Sequence, residues 1–177
     1  LLPSGPDFPV TGAGRLVVAL IYSARRRVVI TTPYFIPDVA LVEALETAVL
    51  RGVEVNLILS RASDNILVGL AQRSYYDQML RAGITIYLYG DGLLHAKHIM
   101  VDDLICVVGS TNIDIRSFQL NAEASLIIYD EKLARMLAAE QSKNIASSER
   151  LSQEVWNQRA VPVKLVQNIA RLVSPLL

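Results

Sequence analysis

The stretch from Arg27 to Tyr89 constrains the fold of this chain more than any other. Val28-Val29-Ile30-Thr31-Thr32 is a β-branched run that reads as a buried strand over residues 27–32. Pro33 and Pro37 bracket an aromatic loop, Tyr34-Phe35-Ile36. Asp38 is placed as an N-cap, and the helix it opens runs to Arg51, where Gly52 stops it. Residues 53–59 read as the next strand. Asp64 or Asn65 opens a longer helix that Gly83 closes, and residues 84–89 form a third strand. Strands that alternate with helices in this way predict parallel pairing with crossover helices.

The pattern then changes. Residues 95–101 and 104–108 read as two strands joined at Asp102-Asp103 in a hairpin, and residues 122–129 as a further strand. Residues 131–142 have helical character. Before the first strand, Leu16, Val17, Leu20, Ile21 and Ala24 have helical spacing over residues 14–24. The sum is an α/β fold, a mixed β-sheet flanked by helices on both faces, in one domain over residues 1–177. Apolar residues make up 52% of the chain, enough for a full core without disulfides or metal. Cys106, the only cysteine, sits in an apolar run and reads as a small buried hydrophobe, so no disulfide forms within the chain. The chain opens at Leu1 without an initiator Met, on the Pro/Gly-rich stretch Leu2 to Asp7, which reads as a domain boundary or an excised piece. No apolar run reaches the roughly 18 residues that span a bilayer.

The chemistry concentrates in His95-Ala96-Lys97, followed by Asp102 and then, six residues on, by Gly109-Ser110-Thr111-Asn112. Residues two apart on a strand share a face, so His95 and Lys97 project together. A histidine beside a lysine is an unfavourable pair for a core, and it makes sense if both face an anion. Lys97, Ser110 and Asn112 can bind non-bridging phosphate oxygens while His95 does nucleophilic or acid–base work. Gly109 would let a substrate oxygen approach the backbone closely. Alone, a His-x-Lys pair is most often a solvated surface feature and a Gly-Ser a turn; the fixed gaps between them carry the signal. His98 alternates to the other strand face and reads as structural. With the two histidines diverging, and with Asp102-Asp103 lacking companion ligands, no metal site is expected. The net charge is zero, with 17 basic and 17 acidic residues, which speaks against a dedicated nucleic-acid binder and leaves lipid or small-molecule substrates open.

These residues match the histidine–lysine–aspartate motif of the phospholipase D superfamily. The resemblance extends to Thr32–Asp38, Leu50–Val53, Arg81–Ile84, Arg116–Glu123 and Leu172–Leu177, which look like the C-terminal half of bacterial cardiolipin synthases. It implies a phospholipase D-like fold and metal-independent, cofactor-free phosphodiester chemistry. Two such motifs meet at one site. One histidine forms a phosphohistidine, and the other protonates the leaving alcohol and then deprotonates the acceptor. By the same resemblance a phosphatidyl group moves from one phosphatidylglycerol to another at a bacterial cell membrane. The partners implied are the phospholipid, the membrane surface, and either an N-terminal half of the same enzyme or a second copy of this chain.

The resemblance also carries roles for residues. His95, Lys97, Asp102 and Glu123 fall in the catalytic set, and Lys97, Ser110, Asn112 and Asn121 near the substrate phosphate. Asp102 lies on the opposite strand face from His95 and reads as a scaffold residue. Ser110 either bonds phosphate or holds its loop. Glu123 would accept the Nδ1 proton of His95, or else is an exposed strand carboxylate. Tyr34-Phe35-Ile36 either lines the substrate entrance or packs in the core. Residues 163–173 read as an amphipathic helix, docked on its own domain or touching the membrane or the missing half. The competing readings are a single-motif, homodimeric nuclease or phospholipid hydrolase of the same superfamily, and a degenerate half that only scaffolds.

Overall fold

The computed structural model describes residues 1–7 and 12–173. The terminal block Leu172–Leu177, one of those that carry the resemblance, lies outside the described residues from 174 on. In chain order the elements are β1 (Leu2–Ser4), α1 (Gly12–Ser23), β2 (Arg27–Thr32), β3 (Phe35–Ile36), α2 (Val39–Leu50), β4 (Glu54–Ser60) and α3 (Ile66–Arg81). There follow β5 (Thr85–Tyr89), β6 (His98–Val101), β7 (Ile105–Gly109), β8 (Ile113–Asp114), α4 (Ile115–Gln119) and β9 (Glu123–Tyr129). The chain then forms α5 (Glu131–Ala146), β10 (Ser148–Arg150), α6 (Gln153–Asn157) and α7 (Val161–Val173).

One mixed sheet of order β1-β9-β7-β6-β2-β4-β5-β10 forms the frame. Its centre is parallel, β2 to β4 to β5, as the β-α-β-α-β pattern requires. The β6–β7 hairpin continues it antiparallel, with Thr31 opposite His98 and Ile99 opposite Val107. Every residue of β2 from Val28 on and of β4 from Val55 on is buried, because helices cover both faces. Val28, Ile30, Leu57, Leu59 and Ile86 pack with α1, α2 and α3 in the main core. On the other face Met100 and Cys106 meet Ala134 and Leu137 of α5.

Local chemistry sets the boundaries. The Asp38 carboxylate accepts from Leu41 N at 2.9 Å, and the Asn65 side chain from Leu67 N and Val68 N, so both helices start where a side chain satisfies their first free amides. Gly52 and Gly83 follow α2 and α3 with φ of +82° and +89°, where a Cβ would be strained.

One boundary differs from the sequence reading. The strand expected from His95 begins at His98. Its neighbour β2 ends at Thr32, where Pro33 has no amide hydrogen to extend the ladder. Residues 95–97 therefore leave the sheet, tethered to β7 by Gly109 N donating to Lys97 O at 3.2 Å. The short elements β1, β3, β8, β10, α4 and α6 were not read from the sequence, because two to five residues carry too little periodicity.

Candidate active site

The residues that point to chemistry gather where β6 and β7 meet the loop after β2. His95 and Lys97 converge although neither is in a strand. Lys97 Nζ lies 3.2 Å from His95 Nδ1 and donates to the His95 carbonyl at 2.8 Å. His95 is exposed and Lys97 half-buried. An ammonium donating to Nδ1 leaves the proton of a neutral ring on Nε2.

Lys97 sits among carboxylates. Burial lowers its ammonium below the ordinary value, and the nearby charges of Glu123, Asp114 and Asp64, in that order, pull it back up. Tyr34 takes the entrance-lining place that was one of its two readings, while Phe35 and Ile36 are buried in the core; Asp64 and Asp114 were not read as site residues from the sequence. The two-stranded ladder of β3 with β8 brings them together, pairing Phe35 with Ile113 and Ile36 with Asp114. The Tyr34 hydroxyl donates to Asp64, and burial followed by that carboxylate pushes the phenol up to about 12. The Asp114 carboxylate accepts from Ser117 N at 2.6 Å as the cap of α4. Burial raises it above the ordinary carboxylate range against the pull of the Ser117 bonds, and Glu123 adds to the rise. The signal for Asp64 was only a helix-start aspartate, and Asp114 gave none because the helix it caps, α4, is too short to read.

Asn112 and Asn121 line a cleft of about 480 Å³ together with Tyr34, Asp64, Asp114 and Arg116. The Asn112 amide nitrogen donates to Ser117 Oγ at 3.3 Å, and its carbonyl oxygen is buried without a partner among the described residues.

Other expectations resolve differently. Ser110 Oγ accepts from Ala124 N at 3.1 Å and lies 3.5 Å from Ala124 O, so it holds its loop to β9. Gly109 makes room for protein rather than substrate: an added Cβ would collide with the Ala124 carbonyl and with Ser125. The expected bond from Glu123 to the His95 ring is not formed; among the described residues, the ring nitrogen's partner is Lys97. Asp102 sits at the other end of β6. Its carboxylate accepts from the backbone amides of Arg25, Arg26 and Arg27 at 2.8–2.9 Å, away from the group around His95. Burial alone would raise it, but the amides of Arg27, Arg26 and Arg25 outweigh that and hold it below the usual carboxylate value.

His98 faces α5 and is buried. Gln141 Nε2 lies 3.2 Å from its Nδ1, and burial pushes the imidazole down to about 4. It is a neutral packing residue near pH 7, pointing away from His95. Cys106 is likewise buried, 4.0 Å from the Met100 sulfur.

Residues 17–144 match the family profile described as cardiolipin synthase, PLD-like domain. Cardiolipin synthase A of Proteus mirabilis is 40% identical over 177 residues, which is 100% of this chain and 36% of that protein. The chain thus spans little more than a third of that relative's length. Among solved structures, phosphatidylserine synthase of Haemophilus influenzae aligns with a TM-score of 0.74 at 21% identity, covering 99% of this chain and 47% of that one. The phospholipase D family member Nuc of Salmonella typhimurium aligns with a TM-score of 0.71 at 23% identity, covering 85% of this chain and 99% of that one. These two likenesses establish the phospholipase D-like fold.

Proposed function

The chain belongs to the family of cardiolipin synthase, PLD-like domains, and on that premise we propose that it is one catalytic half of a phosphatidyltransferase at a bacterial membrane. The observation that carries the reading is the convergence of His95 and Lys97 beside an acidic, amide-lined cleft. The identity of whole-chain relatives with cardiolipin synthases supports transfer between lipids over nucleic-acid cleavage.

The reaction runs in two displacements at phosphorus. An imidazole nitrogen forms a P–N bond as the P–O bond to glycerol breaks, and glycerol takes a proton from a second imidazolium. The terminal hydroxyl of another phosphatidylglycerol then gives its proton back to that imidazole and attacks phosphorus, and the P–N bond breaks. The products are cardiolipin and glycerol, with no metal or cofactor required. His95 supplies one of the two imidazoles. Lys97 turns from the ring to the non-bridging oxygens, whose negative charge it neutralises. Nδ1 is then free to take the proton and face Glu123, leaving Nε2 available for bonding or proton transfer. Asn112 and Asn121 bind near the phosphate, and Asp102 fixes the β6–β7 hairpin that carries the motif.

A single imidazole cannot stand on both sides of phosphorus in one step, and His98 is turned away. The second histidine comes from the rest of a longer protein or from a second copy across a twofold axis. The test is product analysis with labelled phosphatidylglycerol, using the longer protein that contains this chain. Cardiolipin and free glycerol are expected. Phosphatidic acid alone, or cleavage of DNA without lipid turnover, would refute the transferase reading.

A further inference from the structure

The transfer proposed above poses a selection that chemistry at phosphorus does not make. The alcohol that leaves and the alcohol that enters take the same place, because each forms or breaks a P–O bond in line with the nucleophilic histidine. Glycerol leaves and a second phosphatidylglycerol enters. The two differ only at the far end of the glycerol, where the entering molecule carries a second, unreacted phosphate. Glycerol can return and water can enter, and neither carries that charge. Selecting the lipid headgroup therefore calls for a cation beyond the reacting phosphorus, at the other end of a glycerol.

The cleft beside the site offers one. Asn112 of the motif and Arg116 line the same space of about 480 Å³, so it leads from the reacting groups to the guanidinium. Asp64 and Asp114 also line it, and their charges reach Lys97, so without a cation this cleft would repel a second anion. Arg116 is the single cation among its lining residues. Its backbone is fixed. Asp114 caps α4 just before it, and the Arg116 carbonyl accepts from Leu120 N at 2.7 Å and Asn121 N at 2.8 Å. Its side chain is exposed and, among the described residues, has no hydrogen bond or ion pair, with Asp114 within electrostatic reach. A guanidinium held at its root and open at its tip is suited to a phosphate, which its planar fork meets with two parallel bonds.

The opposite wall is built for hydroxyls. Phe35 N donates to Oε1 of the buried Gln72 at 2.8 Å, and Gln72 Nε2 donates to the Tyr76 hydroxyl at 2.7 Å. Thr32 Oγ1 donates to the Tyr34 carbonyl at 2.8 Å. These bonds hold the loop on which the Tyr34 hydroxyl donates to Asp64. The Asp64 carboxylate and the phenol oxygen keep lone pairs that accept from alcohol O–H groups. Hydroxyl acceptors on one wall and a phosphate binder on the other match the two ends of a phosphoglycerol.

We propose that Arg116 determines the acceptor: its guanidinium binds the unreacted phosphate of the incoming phosphatidylglycerol, while Asp64 and Tyr34 accept from the glycerol hydroxyls. Resting on the transferase reading, this assignment adds which nucleophile, lipid headgroup, glycerol or water, takes the phosphatidyl group.

Competition between two soluble acceptors tests it in the longer protein that contains this chain, with phosphatidylglycerol as donor. One acceptor is labelled glycerophosphoglycerol, the headgroup without acyl chains; the other is labelled glycerol at equal concentration. Neither is concentrated by a lipid surface, so their ratio reads recognition of the phosphate. The unaltered enzyme should move label from glycerophosphoglycerol into lipid about tenfold faster than from glycerol. Arg116→Gln should lower that preference about fivefold, and Arg116→Lys, which keeps the charge but not the fork, should fall between. The preference is a ratio, so a partial loss of folded protein does not move it. Equal use of the two acceptors by the unaltered enzyme would overturn the proposal whether or not the variant folds, and so would an unmoved preference in folded Arg116→Gln. Labelled lipid from neither acceptor would overturn the transferase reading and this proposal with it, whereas transfer to both alike overturns this proposal alone.

Discussion

The two ends of strand β6 carry the two parts of one sequence motif, and they are built to opposite specifications. At the Asp102 end the carboxylate is fully engaged by its own fold. Three backbone amides converge on one carboxylate, and the Arg26 guanidinium donates to the Asp102 carbonyl at 2.8 Å. At the His95 end the chain has left the sheet, and among the described residues the Lys97 ammonium forms no ion pair with the carboxylates around it and an amide oxygen of Asn112 has no partner. A group already satisfied by its own fold has nothing to offer a substrate. A group held short of its partners can exchange them for a ligand at small cost. On the proposed function, residues of one motif divide into a scaffold and a reactive part, and the strand between them sets position rather than charge.

Substitutions at the two ends should separate activity from stability. The largest effect is expected at the open end. In the complete enzyme, His95→Asn should reduce transfer by about 10³-fold or more, roughly 4 kcal/mol in the barrier, with no change in melting temperature. A coupled shift of both would mean that His95 is structural. The satisfied end should behave in reverse. Asp102→Ala removes one acceptor from three amides and leaves a Cβ residue at φ 54°, so unfolding in urea should show a loss of about 3 kcal/mol. Activity per folded molecule should fall much less. An unaltered midpoint would contradict the scaffold role.

The first residue of the strand sharpens the contrast through pH. His98 is held near 4 in the folded state against 6.5 when free. The unfolded chain takes the proton first, so stability present above pH 6.5 is lost as pH falls from 6.5 toward 4 and changes no further below that. The full span corresponds to about 3 kcal/mol. His98→Gln should remove that component, so the difference in stability between the two proteins should vary over this window and be constant above it. A constant difference from pH 4 to 7 would mean that His98 is solvated. The smallest effect is expected at Glu123. Glu123→Gln should lower turnover about tenfold, near 1.4 kcal/mol, through the loss of a negative charge beside Lys97 and His95. Full activity in that variant would remove Glu123 from the site.

Much of this arrangement was legible in the sequence. The parallel core could be read because its strands are buried on both faces and therefore spelled in β-branched runs, and the caps at Asp38 and Asn65 because a single side chain satisfies free amides there. The scaffold reading of Asp102 and the structural reading of His98 agree with their contacts, although alternation from His95 is not the reason, since His95 lies outside β6. The reason His95 and Lys97 meet was not legible: they share no strand, and their convergence depends on Pro33 ending the neighbouring ladder. Asp64 and Asp114 were missed for a related reason. Asp114 is brought in by the β3–β8 pairing of two residues each and Asp64 by its bond to Tyr34, tertiary contacts with no local periodicity. The apolar stripe of α7 was visible as an amphipathic pattern, but periodicity does not say which side faces the protein: Gln167 and Ala170 are the buried residues, and Leu165, Val166 and Ile169 face outward.

The central claim is that this chain holds half of a two-histidine site. Specific activity of the isolated chain, measured on labelled phosphatidylglycerol across a dilution series with sedimentation at each concentration, tests it most directly. No turnover by the monomer is expected, with activity that rises with the dimer fraction if copies pair. Full specific activity in a sample that sediments as a monomer would contradict it and would require a second catalytic group within these residues.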